Sequence, residues 1–284
     1  MSATTGAPPR ALAEIRGPSA FGGGRRRFLH LLWLISVTEF RESYYGTVFG
    51  YVWSLARPLL LFGILYLVFS KVFRFGGNVE NYPAMLLFNI MLFTFFGEAT
   101  SRCLDAVVRQ EGLVRKMQFP RMVIPLAVVM TALLNLCLNM VAVIVIVIAT
   151  GVEPTATWLL LPVLLLVLVA FTTGTGLLLS SLYVRFRDIA LIWSVLSTVL
   201  FYGSPILYPV ELMPSELRFA VIINPLAPIF ELARKWIIDP GAPGLVEVAG
   251  STLGAVAPWV GIAAACIVGL WFFNREAPRI AEEL

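Results

Sequence analysis

The chain has 284 residues, of which 59% are hydrophobic and 13% charged, and its mean hydropathy is +0.86. Soluble domains carry about a quarter charged residues, so this composition excludes an ordinary water-soluble fold and identifies an integral membrane protein. The formal net charge of +4 is small and gathers in short turns, which reads as membrane orientation and not as a nucleic-acid footprint.

Residues 1–24 are rich in Ala, Pro, Gly and Ser and lack the apolar core of a signal peptide, so a disordered cytoplasmic tail is expected. Arg25, Arg26 and Arg27 introduce residues 28–40, where Phe28, Leu31, Leu32, Ile35 and Phe40 recur at near-helical spacing. The run is too short to span. It predicts an amphipathic helix in the cytoplasmic headgroup region, with a buried soluble-type helix as the alternative. Residues 25–52 are thus an interface helix and a membrane entry, in which Gly46 and Gly50 loosen the backbone among Tyr44, Tyr45, Tyr51 and Trp53.

The first span is predicted at about residues 53–73, with Pro58 in its first turns and Lys71 and Arg74 at its far interface. Pro83 opens the second, about 83–104, whose inner end carries Glu98 and Arg102 as an i, i+4 pair. A structural ion pair and a gate residue are both open readings of that pair.

The polar, basic stretch 109–121 separates two long apolar runs, and Arg109, Arg115, Lys116 and Arg121 mark it as a cytoplasmic turn. Leu113, Val114 and Met117 fall at spacings of three and four, which gives one helical turn an apolar face to dock on a partner; a solvated basic hairpin is the plainer alternative. The third span is almost uninterrupted over 122–149, and the outer turn 150–157 holds Glu153 and no basic residue.

The fourth span, 158–184, contains the small residues 172–176 with Ser180 and Ser181, which predict close helix packing. Arg185, Arg187 and Asp188 form a second inner turn before the fifth span, 189–208, which Pro205 and Pro209 end. Residues 210–240 are too apolar for an outer loop, yet Pro214, Asn224, Pro225 and Pro228 break them into pieces of about ten residues. Re-entrant helices covered by protein answer that composition. The sixth span, 253–273, leads into a tail of 274–284, which places both termini in the cytoplasm.

The chemistry-bearing residues are few. His30 is the single histidine, which rules out an HExxH zinc motif, and Cys103, Cys137 and Cys266 lie in apolar runs as small buried hydrophobes. No metal site is expected. Lys71, Lys116 and Lys235 follow Ser, Arg and Arg, so no Gly-Lys pair exists to form a phosphate-cradling Walker A loop. A membrane glycosyltransferase or acyltransferase would need an acid or base near the surface, and Glu98 is paired while Asp105 stands alone. Six spans, basic inner turns, an entry helix and a re-entrant element instead describe a gated half-pore, completed by a dimer and driven from elsewhere.

Three segments carry a resemblance to a known family: RESYYGTVFGYVWSLARPLL over 41–60, LVRKMQFPRMVIPL over 113–126, and the run from YVRFRDIALIW through SPILYPVELMP to NPLAPIFELAR over 183–234. The sequence resembles the membrane subunits of ABC exporters that move lipid-linked polysaccharides, such as the O-antigen and wall teichoic acid permeases, over roughly 41–271. Arg57 departs from the asparagine common at that place in the family.

The resemblance implies an all-α permease of about six transmembrane helices. A separate nucleotide-binding subunit would hold ATP and magnesium, and this chain no cofactor of its own. It implies an ATPase-coupling helix at Leu113, Val114, Arg115, Lys116, Met117 and Phe119, with a secondary contact at Arg185 and Asp188. The entry helix would also touch the ATPase, and residues 210–238 would be outer gate helices. Tyr51, Trp53, Phe62, Tyr66, Phe69, Trp193, Phe201 and Tyr202 become candidates to line a glycan path. Arg25, Arg26, Arg27, Arg41 and Arg57 become candidates to meet a lipid diphosphate. The implied setting is the bacterial inner membrane. A permease of the same fold that exports a drug or small lipid is the alternative.

Overall fold

A computed structural model describes residues 24–44, 50–72, 79–110, 112 and 120–277. The expected N-terminal tail to residue 23, the membrane-entry turn at 45–49, Arg74, the coupling segment 113–119 and the tail from 278 lie outside the described residues. Among those described, the chain is helical with no strand.

In chain order the elements are α1 (Arg25–Tyr44), α2 (Gly50–Tyr66) with a π-helical continuation (Leu67–Val72), α3 (Tyr82–Arg109) and α4 (Val123–Ala149). A 3-10 turn (Ala156–Leu160) enters α5 (Leu161–Arg185), followed by α6 (Ile189–Gly203) and a 3-10 turn (Val210–Leu212). Then come α7 (Ser215–Ile222), α8 (Ala227–Ala233) with a π-helical continuation (Arg234–Ile238), α9 (Leu245–Ala249) and α10 (Thr252–Glu276).

Among the described residues five helices are long and apolar enough to cross a membrane: Gly50–Val72, Tyr82–Arg109, Val123–Ala149, Ala156–Arg185 and Thr252–Glu276. They coincide with the first, second, third, fourth and sixth expected spans. The fifth is shorter than expected, because α6 has 15 residues and stops at Gly203 instead of 208. At 1.5 Å per residue that is about 22 Å, against a hydrocarbon core of about 30 Å. Pro205 and Pro209 cannot donate helix hydrogen bonds, and the backbone there turns extended instead. Because α2 begins at Gly50, Pro58 sits in its interior and not in its first turns, and is buried there.

The core is built around α3. Its most apolar stretch has 78% of its residues buried, against 6% for the first span, so α3 is the central post while α2 leaves most of its surface uncovered. A helix that is apolar all round belongs in such a centre. Phe96 of α3 stacks on Phe171 of α5 at 5.3 Å and meets Trp193 of α6 edge-on at 6.1 Å, which pins both neighbours to the post.

The small residues of the fourth span act as expected. Gly176 faces Cys103 of α3, and Gly174 faces the backbone of Ala265 and Cys266 on α10, while Gly269 of α10 packs onto the Gly174 carbonyl. Of the three cysteines Cys103 is buried and Cys266 half-buried, but Cys137 is exposed on the surface of α4, contrary to the expected burial.

Residues 204–240 fold back against the spans. Ile206, Leu207, Leu226, Ile229 and Phe230 are 0–2% exposed, and Tyr82 and Asn89 of α3 donate to the Leu207 and Pro205 carbonyls at 2.9 and 3.2 Å. The Thr157 hydroxyl and the Trp158 indole donate to the carbonyls of Trp236 and Ile237. Broken backbone is thereby covered and satisfied, as a membrane setting demands.

Candidate functional site

A polar seam joins α1 and α2 to α4. Thr131, Asn135 and Asn139 recur every four residues and so form one stripe on α4, and all three are buried. The Thr131 hydroxyl donates to the Ser36 carbonyl at 3.2 Å and faces the Glu39 carboxylate at 3.4 Å, which also accepts from Gln110 at 3.1 Å. Tyr44 donates to Asn135 Oδ1 at 2.5 Å, and Ser54 of α2 to Asn139 Oδ1 at 3.2 Å. Tyr44 stacks on Tyr51 at 4.1 Å, so the rings close the elbow between α1 and α2 over this stripe. Burial raises the Glu39 carboxyl above its ordinary range, opposed by Thr131, Arg102 and Gln110.

Glu98 and Arg102 form the expected ion pair at 2.8 Å, with both side chains more than a third exposed. Asp105 is not alone: Arg109 pairs with it at 2.7 Å, one turn on. Both carboxylates that the sequence offered on this part of α3, Glu98 and Asp105, are thus held in ion pairs with arginines one turn on.

The two basic turns differ from one another. Arg185 and Asp188 are exposed, with Arg185 over the Phe186 ring and Arg187 over Tyr183, so this turn presents cations on aromatic faces. Arg121, one of the basic residues expected to mark a cytoplasmic turn, is buried and donates to the backbone carbonyl of Ala277. It ties the start of α4 to the end of α10.

The aromatic path candidates divide. Tyr51, Trp53 and Tyr202 are exposed; Phe62, Tyr66, Phe69 and Phe201 are half-buried against the core; Trp193 is buried and serves as a packing pin. Phe62 stacks on Tyr66, and Phe201 meets Phe93 of α3 edge-on at 5.0 Å. Arg26, Arg27, Arg41 and Arg57 are exposed, and among the described residues none of them has a carboxylate partner; Arg25 opens α1. Among the described residues no cluster of metal-ligand side chains occurs.

Residues 30–238, from α1 to the end of the π-helical segment after α8, match the ABC-2 type transporter family. The chain belongs to that family. This ABC-2 protein is 29% identical to an O-antigen export system permease protein RfbA of Klebsiella pneumoniae, over 89% of this chain and 95% of that protein. It is 27% identical to the protein of that name from Myxococcus xanthus, over 87% and 92% of the two chains. The polysialic acid transport protein KpsM of Escherichia coli is 26% identical over 72% of this chain and 79% of its own length. An ABC-2 membrane subunit is a permease component and not itself an enzyme, and the family implies a separate ATPase subunit.

In this ABC-2 subunit the seam is the feature that composition concealed. Three polar residues in a 27-residue helix do not disturb its hydropathy, but their spacing of four was visible. Each rung anchors the entry elbow. We expect the Tyr44→Phe and Asn135→Leu changes to be non-additive, with a coupling of about 1 kcal/mol in a thermal-denaturation cycle on the purified protein. Strict additivity would show that the rung carries no interaction.

Proposed function

We propose that this ABC-2 subunit moves a polysaccharide linked to a polyprenyl diphosphate from the cytoplasmic to the outer side of the inner membrane. Both termini are cytoplasmic, and two copies of the chain enclose the path. ATP and magnesium are held by the partner ATPase, which pushes on residues 113–119. The relatives named for O-antigen and polysialic acid export support the polymer class.

One observation on the molecule carries the reading. Arg57 lies exposed about a third of the way along the 23-residue first span, on a helix the rest of the chain leaves almost uncovered. A guanidinium facing hydrocarbon costs about 2.5–3.5 kcal/mol, so this face is suited to water, an anionic headgroup or another subunit. Arg41, Tyr51 and Trp53 share the exposed entry, which offers cations for a diphosphate and rings on which sugars slide without register. In this reading α6 and the extended residues after it make the fifth of six crossings, and 210–240 re-enter the membrane as the outer gate.

The test is co-purification from native membranes in mild detergent, followed by an ATPase assay. An ATPase should accompany the chain in a fixed ratio, and its turnover should rise severalfold with lipid-linked glycan. Stimulation by small amphiphiles alone would replace the polymer with a drug or lipid. Absence of an ATPase even after crosslinking would overturn the exporter reading.

A further inference from the structure

The outer element is two separately packed bodies. Val210, Val221, Ile222 and Val248, with Met213 and Ala249, form a small hydrophobic cluster of their own, while Leu226, Ile229, Phe230, Ala233, Ile237 and Ile238 belong to the main core. The first body is the 3-10 turn, α7 and α9; the second is α8 with its π-helical continuation. Arg218 holds the first body together from within, donating to the Met213 and Glu211 carbonyls at 2.9 and 2.6 Å.

Between them stands a buried charge. The Arg234 side chain is 5% exposed, and its single hydrogen bond runs from Nη2 to Glu211 Oε1 of the other body at 2.8 Å. Among the described residues its Nε and Nη1 have no hydrogen-bond partner. Two further carboxylates wait on its own body, Asp239 Oδ2 at 3.7 Å from Nη2 and Glu231 Oε2 at 4.0 Å from Nη1. Glu231 is held off by a second link across the bodies, the backbone N–H of Val210 donating to its Oε1 at 3.1 Å.

The links are reciprocal. A movement that takes Glu211 away from Arg234 also takes the Val210 N–H away from Glu231, and leaves a freed cation beside a freed carboxylate. Orphaning a buried charge is strongly destabilising, whereas exchanging one partner for another is not. We infer that Arg234 is an exchange latch: it joins the two bodies through Glu211 in the shape described and transfers to Glu231 and Asp239 when the outer body swings away. The two discrete pairings make the element bistable and keep its opening cheap. The inference rests on the reading of 210–240 as the moving outer gate.

Hydrogen exchange read by mass spectrometry on the permease–ATPase complex in lipid nanodiscs tests it, because peptides 210–222 and 227–238 report the two bodies apart. Glu211→Gln keeps size and shape at a side chain one-third exposed. It should raise exchange over 210–222 roughly tenfold in the nucleotide-free complex while 227–238 stays protected. Glu231→Gln, whose amide oxygen still accepts from the Val210 N–H, and Asp239→Asn remove only the charges that would receive Arg234; both should keep the nucleotide-free protection over 210–222 and suppress the rise that ATP produces there in the wild type. Unchanged exchange in Glu211→Gln would overturn the latch, as would equal loosening of both bodies by all three variants. A wild-type complex with no ATP response over 210–222, in which Glu211→Gln still loosens that body, would overturn the gate reading and the exchange step while leaving the clasp.

Discussion

Replacing Gly174 by leucine will abolish recovery of folded protein, and Gly269→Leu will do the same. A Cβ at Gly174 would lie 2.6 Å from the Cys266 Cα and 2.7 Å from its nitrogen, and one at Gly269 would overlap the Gly174 carbonyl. These neighbours are backbone of the facing helix and cannot rotate out of the way. Overpacking against side chains costs about 1–3 kcal/mol; here α5 and α10 must separate along their crossing, so about 3 kcal/mol or more is expected. Against a total stability of about 5–15 kcal/mol, that removes the monodisperse peak in detergent. Gly63→Leu, where nothing lies within 4 Å, is the control and should elute as the wild type does. A monodisperse Gly174→Leu protein would show that the crossing is looser than described.

The reach of sequence reading can be judged on particular residues. Spans one to four and six were legible because uninterrupted apolar runs of this length have one stable home, and the broken stretch after Pro205 was legible as covered backbone because its prolines and its hydropathy disagreed. The end of α6 was not, since the apolar residues continue past Gly203 while only the backbone changes course. Aromatic residues gave no direction: Trp193 and Tyr202 belong to one helix and carried one expectation, yet one is a buried pin and the other faces outward. Which side an aromatic takes depends on the neighbour it meets, and Phe96 and Phe171 lie far off in sequence.

Charge depends on such neighbours too. Asp105 looked alone because its partner Arg109 was already assigned to the turn that follows, although the two stand four residues apart on one helix. By sequence Arg121 marks a turn and Arg234 shows no sign of a role, since basic residues near a membrane usually sit in solvent. Both are buried, at 4% and 5% exposure, and each joins segments distant in sequence. A buried arginine needs partners that local pattern does not reveal.

Leu113→Asp combined with Met117→Asp should reduce export more than tenfold while the purified chain keeps its elution profile and thermal transition. The two side chains belong to the apolar face that spacing predicts for the inner turn, and that face is proposed to fit the ATPase. Placing two carboxylates in an apolar contact buries charge without partners, which costs several kcal/mol of association and breaks transmission before it touches the membrane fold. Arg121→Gln is the contrasting change. Its guanidinium is buried just before α4 and holds the Ala277 carbonyl, so its loss should lower the thermal transition itself. ATPase binding measured by co-purification separates the two: the double aspartate variant should lose the partner and stay folded, whereas Arg121→Gln should lose stability whether or not the partner is present. Full export by the double variant would remove the coupling role from this turn and shift it to Arg185 and Asp188, the exposed alternative on the other inner turn.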